Sequence, residues 1–274
     1  MVNVAFSSDN HFDINKVPLT ETIRQQADYL RRHQIQYYLI AGDLFNSFTK
    51  SADYVRLLQA QLPDTRVFFI AGNHDMLNGV TYEELETGTW PGYLNNRFVD
   101  ILGTNYRIIG LNGWYDYSFA AQTGRSDQQI HQWKMAYWVD SLIKQPMSDP
   151  QREQIVIDQL TTQLQAAQRS GKQTILVTHF VPNGYFIHTT NDNRFWNMAN
   201  AMLGSQRITK VIDQSAMAAV VFGHIHNRIA PVKIANTWYY NAAVGYNNNH
   251  HHNEWRTTDF LSEWRNQLKT IQLF

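Results

Sequence analysis

Apolar residues come in short runs that stop abruptly at polar clusters, and this rhythm organises the first part of the chain. Val2 to Ser7 ends at Ser8-Asp9-Asn10-His11, Tyr37 to Ala41 at Gly42-Asp43-Leu44-Phe45-Asn46, and Arg66 to Ala71 at Gly72-Asn73-His74-Asp75. Runs of this length, bounded by turn-forming residues, predict buried strands. Between them, Leu19 to His33 is polar apart from Ile23, Ala27 and Leu30, and Ala52 to Leu62 carries Val55, Leu58 and Leu62 before Pro63. Both spacings predict amphipathic helices. Strand, helix, strand, helix, strand predicts right-handed parallel crossovers in an α/β sheet, whose ligands gather beyond the C-terminal strand ends. Two later strands, Gln173 to Val177 and Ala218 to Phe222, run in the same way into Thr178-His179 and Gly223-His224-Ile225-His226.

The middle of the chain departs from this rhythm. Val99 to Leu102 and Tyr106 to Leu111 flank Gly103-Thr104-Asn105 and predict a β-hairpin. A tract rich in aromatics and amides, Trp114 to Pro150, follows, and then a long helix from Gln151 to Arg169 that Gly171 stops. Asn183 to Gln206 is a second such tract, with Tyr185, His188, Arg194, Phe195 and Trp196. We read 114–170 and 183–206 as insertions in a single domain spanning 1–274. Their aromatics either pack helices onto the sheet or wall a substrate cleft. Arg228 to Gly245 predicts two strands about Asn236-Thr237, and Leu261 to Phe274 a helix and a final strand. Asn247 to Asn253, with His250, His251 and His252 in succession, reads as a solvated loop.

Composition acts mainly by exclusion. At 274 residues and 43% hydrophobic, the chain can bury a large core. Lys plus Arg number 23, as do Asp plus Glu, so no global charge advertises nucleic acid or an anionic membrane. There is no cysteine, which removes disulfides, thiolate metal sites and a cysteine nucleophile and leaves nitrogen and oxygen ligands. No apolar run approaches the roughly 20 residues of a membrane helix, and no signal pattern opens the chain. A cytoplasmic protein with no membrane or protein partner is the expectation.

Together the polar clusters supply aspartates, asparagines and five histidines at strand ends that a parallel sheet brings side by side. That is a donor set for two borderline divalent ions. The clusters resemble the blocks of the calcineurin-like metallophosphoesterase superfamily in order: Asp9-Asn10-His11 for Asp-x-His, Gly42 to Asn46 for Gly-Asp-x-x-Asp/Asn, Gly72 to Asp75 for Gly-Asn-His-Asp/Glu, then His179, and Gly223 to His226 for Gly-His-x-His. The resemblance spans 9 to 226 and implies a four-layer αββα sandwich carrying helical and aromatic insertions. It gives Asp9, His11 and His226 to one metal, Asn73, His179 and His224 to the other, and Asp43 to both. It implies two divalent or trivalent transition-metal ions, from among Mn, Fe, Zn and Ni, and hydrolysis of a phosphomonoester or phosphodiester by in-line attack of a metal-bridging hydroxide. In the family pattern His74 is no ligand; it protonates the leaving alkoxide or stabilises phosphoryl oxygens. Asn46 and Asp75 complete the catalytic group as its supports. Many relatives carry aspartate where this chain has Asn46, so His74 has less electrostatic support here. Purple acid phosphatases place a ligand tyrosine in the second block; Phe45-Asn46 stands here, and a tyrosinate-iron site is not expected.

The expected substrate is a small phosphorylated metabolite or nucleotide, with Arg97, His188 and Arg194 as candidate phosphate contacts. The Gly-Asp-Leu-Phe and Gly-His-Ile-His blocks look like those of DNA-repair nucleases of the superfamily, which makes a nuclease the alternative. The balanced charge gives no electrostatic footprint for duplex binding, so nucleic acid is not favoured. A non-catalytic metal-binding interaction module is the third reading. Relatives of that kind typically lose the residue at His74 or several ligands, and none is missing here.

Overall fold

The computed structural model describes residues 1–248 and 252–274; Asn249, His250 and His251, expected as part of a solvated loop, lie outside them. Parallel strands β1 (Val2–Ser7), β2 (Tyr37–Ala41) and β3 (Arg66–Ile70) are joined by α1 (Leu19–Arg32) and α2 (Phe48–Ala60). After the short α3 (Tyr82–Thr87), β4 (Arg97–Asp100) and β5 (Tyr106–Leu111) form the expected antiparallel hairpin. Helices α4 (Asp127–Tyr137) and α5 (Asp149–Arg169) lead to β6 (Gln173–Thr178), and α6 (Arg194–Ala199) and α7 (Gln206–Asp213) lead to β7 (Ala219–Phe222). Then come β8 (Val232–Ile234), β9 (Thr237–Asn241), the short pair β10 (Asn247–Asn248) and β11 (His252–Asn253), α8 (Phe260–Gln267) and β12 (Lys269–Leu273). One sheet runs β12-β1-β2-β3 and the other β4-β5-β6-β7-β9-β8.

The period-2 alternation of each strand decides which residues meet. Val4, Phe6, Leu39 and Ile70 of the first sheet pack with Ile108, Ile175, Val177 and Val221 of the second in one buried layer. The intervening residues, Ala5, Tyr38, Ile40, Ile109, Leu176 and Val220, face the other way and pack with helical side chains such as Ile23, Leu30, Leu58 and Leu160. Two sheets back to back with helices outside make the αββα sandwich. Each large aliphatic side chain so buried contributes roughly 1.5–3 kcal/mol.

Some boundaries differ from those expected; β4 spans Arg97–Asp100, two residues earlier than the expected Val99 to Leu102. Helix α5 begins at Asp149 because Pro150 falls in its first turn, where a missing N–H costs nothing, and Gln151 bonds back to the Ser148 N–H at 3.0 Å. Helix α2 begins at Phe48, a buried residue one turn before Ala52 that extends the same apolar stripe. Among the described residues, no helix is long and apolar enough to cross a membrane.

The sheets are stitched together at one end. Ser8, just past β1, donates its N–H to Ala242 O and accepts from Val244 N, both at 2.9 Å, just past β9 of the other sheet. The C-terminal ends of β1, β2, β3, β6 and β7 therefore converge on one region.

Candidate metal centre

Five strand-end loops reach that region, and in three of them the backbone is held in conformations that side chains other than glycine rarely adopt. Asp9, His11, Asp43 and His224 have φ of 53°, 43°, 57° and 66°. Left-handed backbone costs on the order of 1–2 kcal/mol per residue. Backbone bonds between loops offset it: Asp9 N to Gly42 O at 2.9 Å and His11 N to Asp43 O at 3.0 Å. The two block glycines Gly72 and Gly223 are there for close approach, because a Cβ would overlap the Asp43 carboxylate at the first and Ser8 and the Asp9 carboxylate at the second.

The seven side chains expected as ligands lie together, at most 11% exposed among the ion-pair members of the group. Asp9, His11 and His226 form one cluster, and Asp43, His179 and His224 another; a third, of His11, Asp43 and His74, links them. His226 Nε2 is 3.1 Å from Asp9 Oδ1 and 3.3 Å from His11 Nε2. His179 Nε2 is 3.0 Å from Asn73 Oδ1 and 3.3 Å from Asp43 Oδ2.

The outer contacts of these rings show what faces inward. His179 Nδ1 donates to Ala41 O at 2.8 Å and His226 Nδ1 to the Glu254 carboxylate at 2.7 Å. Without a proton on Nε2, each ring aims a lone pair there at oxygens that also have only lone pairs to offer, so the position between them takes either a proton or a metal ion. His224 Nε2 donates to Met202 O at 3.2 Å, leaving Nδ1 for the site. Asn73 donates its Nδ2 to Asp140 Oδ1 at 2.7 Å, which turns Oδ1 inward. Lone pairs converging from imidazole, carboxylate and carboxamide call for cations between them, and this N/O set suits two borderline metal ions.

Electrostatics agrees. Burial works against the Asp9 charge, but the His226 hydrogen bond and the charges of His226 and His179 outweigh it and hold the carboxyl down at about 2. Asp43 is likewise depressed well below the usual range: burial opposes its charge, and His179, His74 and His11 overcome it. Burial disfavours charge on the rings too. His179 is nevertheless raised to about 9 by Asp43, and His226 to about 10 by Asp9 and Glu254. Burial and neighbouring positive rings push His11 well down, and His224 to about 3. A field that draws protons onto two buried imidazoles draws metal cations to the same places.

His74 stands at the edge of this cluster. Its Nδ1 donates to Asn46 Oδ1 at 2.6 Å, its backbone N–H to Asp43 Oδ1 at 2.8 Å, and its Nε2 faces the Tyr246 hydroxyl at 3.2 Å. Asp75, expected in the catalytic group, is placed differently. It is fully buried beneath the loop, and its oxygens accept from the backbone N–H groups of Asp43, Leu44, Phe45 and Gly72 at 2.7–3.2 Å and from the Ser51 hydroxyl. It touches no open space, so it is a positioning residue. Burial and the Asp43 charge push its carboxyl up to about 7, while Ser51 and the backbone donors pull the other way. A proton on either oxygen would point at a donor, so the geometry describes the anion.

A cleft of about 900 Å³ opens over Asp43, Asn73, His74, His224 and His226. Of the three candidate substrate contacts, His188 lines it. The other two do not, among the described residues. Arg97 sits at the sheet edge and gives its guanidinium to Gly88 O at 2.8 Å and Tyr93 O at 3.4 Å, and Arg194 is solvent-exposed on α6. Three residues went unnoticed in the sequence. Tyr246 packs its ring 4.5 Å from those of both His11 and His226. Glu254 carries His226, and Asp140 carries Asn73. Tyr246 had a usable signal, since Gly245-Tyr246-Asn247 follows the last strand of the sheet as the other clusters do. Glu254 and Asp140 had none, being single acids outside the strand-end clusters, Asp140 among aromatic and aliphatic residues (Tyr137, Trp138, Val139, Leu142).

Comparison with known proteins agrees with this geometry. No curated protein is significantly similar in sequence. Among solved structures, the phosphopantetheinyl hydrolase of Mycobacterium tuberculosis superposes with a TM-score of 0.64 at 15% identity, covering 98% of this chain and 95% of the other. A dimetal phosphatase from Danio rerio gives 0.51 at 12%, covering 88% and 86%. An anchor protein of the inner membrane complex of Plasmodium gives 0.52 at 10%, covering 89% and 72%. At these identities the likeness is one of fold. The profile of the calcineurin-like phosphoesterases matches residues 2–228, which takes in all five blocks, and so the chain belongs to that metal-dependent family of hydrolases acting on phosphoric ester bonds.

Proposed function

We propose that this hydrolase cleaves a small phosphoester, as one domain, at the centre formed by Asp9, His11, Asp43, Asn73, His179, His224 and His226. The observation that carries the reading is the convergence of lone pairs: His179 Nε2 against Asn73 Oδ1 and Asp43 Oδ2, with His226 Nε2 against Asp9 and His11. Asp9, His11 and His226 would hold one ion, Asn73, His179 and His224 the second, and Asp43 both. When bound, the two ions make a nucleophile of water near neutral pH and neutralise phosphoryl charge.

The chain's own part is positioning and proton transfer. Asp75 holds the Asp43 loop, Asp140 holds the Asn73 carboxamide, and Asn46 holds His74 with Nε2 toward the cleft. As the water oxygen bonds to phosphorus and the ester P–O bond breaks, His74 Nε2–H supplies the proton that the leaving alkoxide takes up. Asn46 accepts the Nδ1–H of that imidazolium without a charge of its own.

The test is a panel on metal-reconstituted protein: a generic monoester, a generic diester, cyclic and linear nucleotides and single-stranded DNA, each with Mn, Fe, Zn and Ni. Turnover is expected with at least one metal. His74→Ala should keep two metals per chain and lose roughly 100-fold or more in kcat. No turnover by the wild-type protein at full two-metal occupancy, with every metal, refutes the proposal.

A further inference from the structure

From the cleft walls we infer the substrate class: a phosphodiester carrying one negative charge and an uncharged, partly apolar arm. This rests on the phosphoesterase reading above and deepens it. The floor of the cleft bears the candidate metal residues and His74. The same cleft is lined by Trp138, Val139, Phe186, Leu203 and the half-exposed Trp196. These come from the two aromatic tracts of the chain. The Phe195 ring packs tilted against Trp133 of α4, centroids 5.0 Å apart, which holds the short α6 to α4, and its neighbour Trp196 is a half-exposed member of the cleft lining.

Charge narrows the class. Among the described residues lining the cleft there is no lysine or arginine, and the Glu254 carboxylate adds a negative charge beside His226. A nucleoside di- or triphosphate, or a nucleic acid strand, brings phosphates beyond the one at the metal centre, and for these the described lining offers a single imidazole, His188, in place of the lysines and arginines that bind phosphate. A dianionic monoester needs more positive charge than a monoanionic diester. Apart from the His188 imidazole, the wall's polar groups away from the metal centre are mostly uncharged: Thr190, Asn193 and Asn227 hydrogen-bond hydroxyls or amides without selecting charge. Cavities of about 300–1,000 Å³ hold whole drug-sized ligands, so about 900 Å³ leaves most of the space for the organic arm.

The test compares kcat/KM on the metal-loaded protein for four 4-nitrophenyl esters and one competitor. The esters are methyl 4-nitrophenyl phosphate, its phenyl and N-acetylaminoalkyl counterparts, and 4-nitrophenyl phosphate; the competitor is a nucleoside diphosphate. The arm-bearing diesters should exceed the methyl diester and the monoester by about tenfold or more, the scale on which an apolar pocket discriminates. The nucleoside diphosphate should neither react nor inhibit at equal concentration. Trp196→Ala, a half-exposed position whose loss the fold tolerates, should shrink the ratio of arm-bearing to methyl diester, chiefly through KM. Equal rates across the diesters, a faster monoester, or an unchanged ratio in Trp196→Ala overturns the inference while leaving the phosphoesterase reading intact. Absence of turnover with every ester overturns both.

Discussion

Replacing Asp75 by asparagine tests how the centre is held. The carboxylate is the sole acceptor given to four backbone N–H groups of two loops, and its two oxygens divide them. Oδ1 takes Leu44 N at 3.1 Å, Phe45 N at 3.2 Å and the Ser51 hydroxyl, while Oδ2 takes Asp43 N at 2.7 Å and Gly72 N at 2.9 Å. An asparagine oxygen can keep the first set, but its NH₂ then confronts Asp43 and Gly72 donor to donor in a fully buried site. Two hydrogen bonds to a charged acceptor are lost, at about 1.5–3 kcal/mol each, so the expected destabilisation is roughly 3–6 kcal/mol. In urea unfolding of the metal-free protein, followed by tryptophan fluorescence, the midpoint should fall by about 1–2 M. Working on metal-free protein separates the loss of the loop from the loss of the ions. If the carboxyl were protonated in the fold, asparagine would be an adequate mimic. A midpoint within about 0.3 M of wild type would therefore refute the reasoning.

Three further outcomes are expected. Asp140→Ala frees the Asn73 carboxamide to rotate and should weaken one of the two metal sites by about 10–100-fold in a calorimetric Mn titration, leaving the other unchanged; equal affinity at both sites would show that Asn73 needs no such hold. Asn46→Asp places a carboxylate where an amide oxygen now lies 2.6 Å from His74 Nδ1, and should extend the alkaline limb of the kcat profile by about one pH unit or more; a superimposable profile argues against the pairing. Asp149 is buried between α4 and α5 with Lys134 Nζ at 2.8 Å. Burial opposes its charge, but Lys134 and the hydroxyl and indole donors hold its carboxyl below the ordinary value. A depressed folded value means stability that is present above about pH 4 and lost as pH falls through the folded value. Asp149→Asn should cost about 3–5 kcal/mol at pH 7 and flatten that acid limb, both read by denaturation at a series of pH values.

Much of this centre could be read from local pattern because a parallel strand must end in a loop at the ligand-binding edge. Wherever an apolar run stopped at Asp-x-His, Gly-Asp, Gly-Asn-His or Gly-His-x-His, the residue types offered a metal donor set, strand order gave the meeting place, and the reaction itself came from the family resemblance. The glycines, too, carried information, since Gly72 and Gly223 lie against the carboxylates of Asp43 and Asp9. Helix boundaries such as that of α5 were less legible, because Pro150 reads equally as the end of a loop or the first turn of a helix.

What the sequence by itself determined, then, is the alternation that makes two sheets and the donor types at their ends, both of which depend on neighbours along the chain. Only the tertiary structure decided which side chains support those donors and which wall the cleft. Glu254 reaches His226 from 28 residues away, Asp140 reaches Asn73 from 67, and Tyr246 faces His74 across 172. No periodicity records such pairs, because each comes from the way two loops or an insertion pack. For the same reason Arg97 and Arg194, plausible by residue type, fall outside the cleft, and the apolar and aromatic lining supplied by the two tracts, Trp138, Val139, Phe186, Trp196 and Leu203, follows only from how those tracts pack.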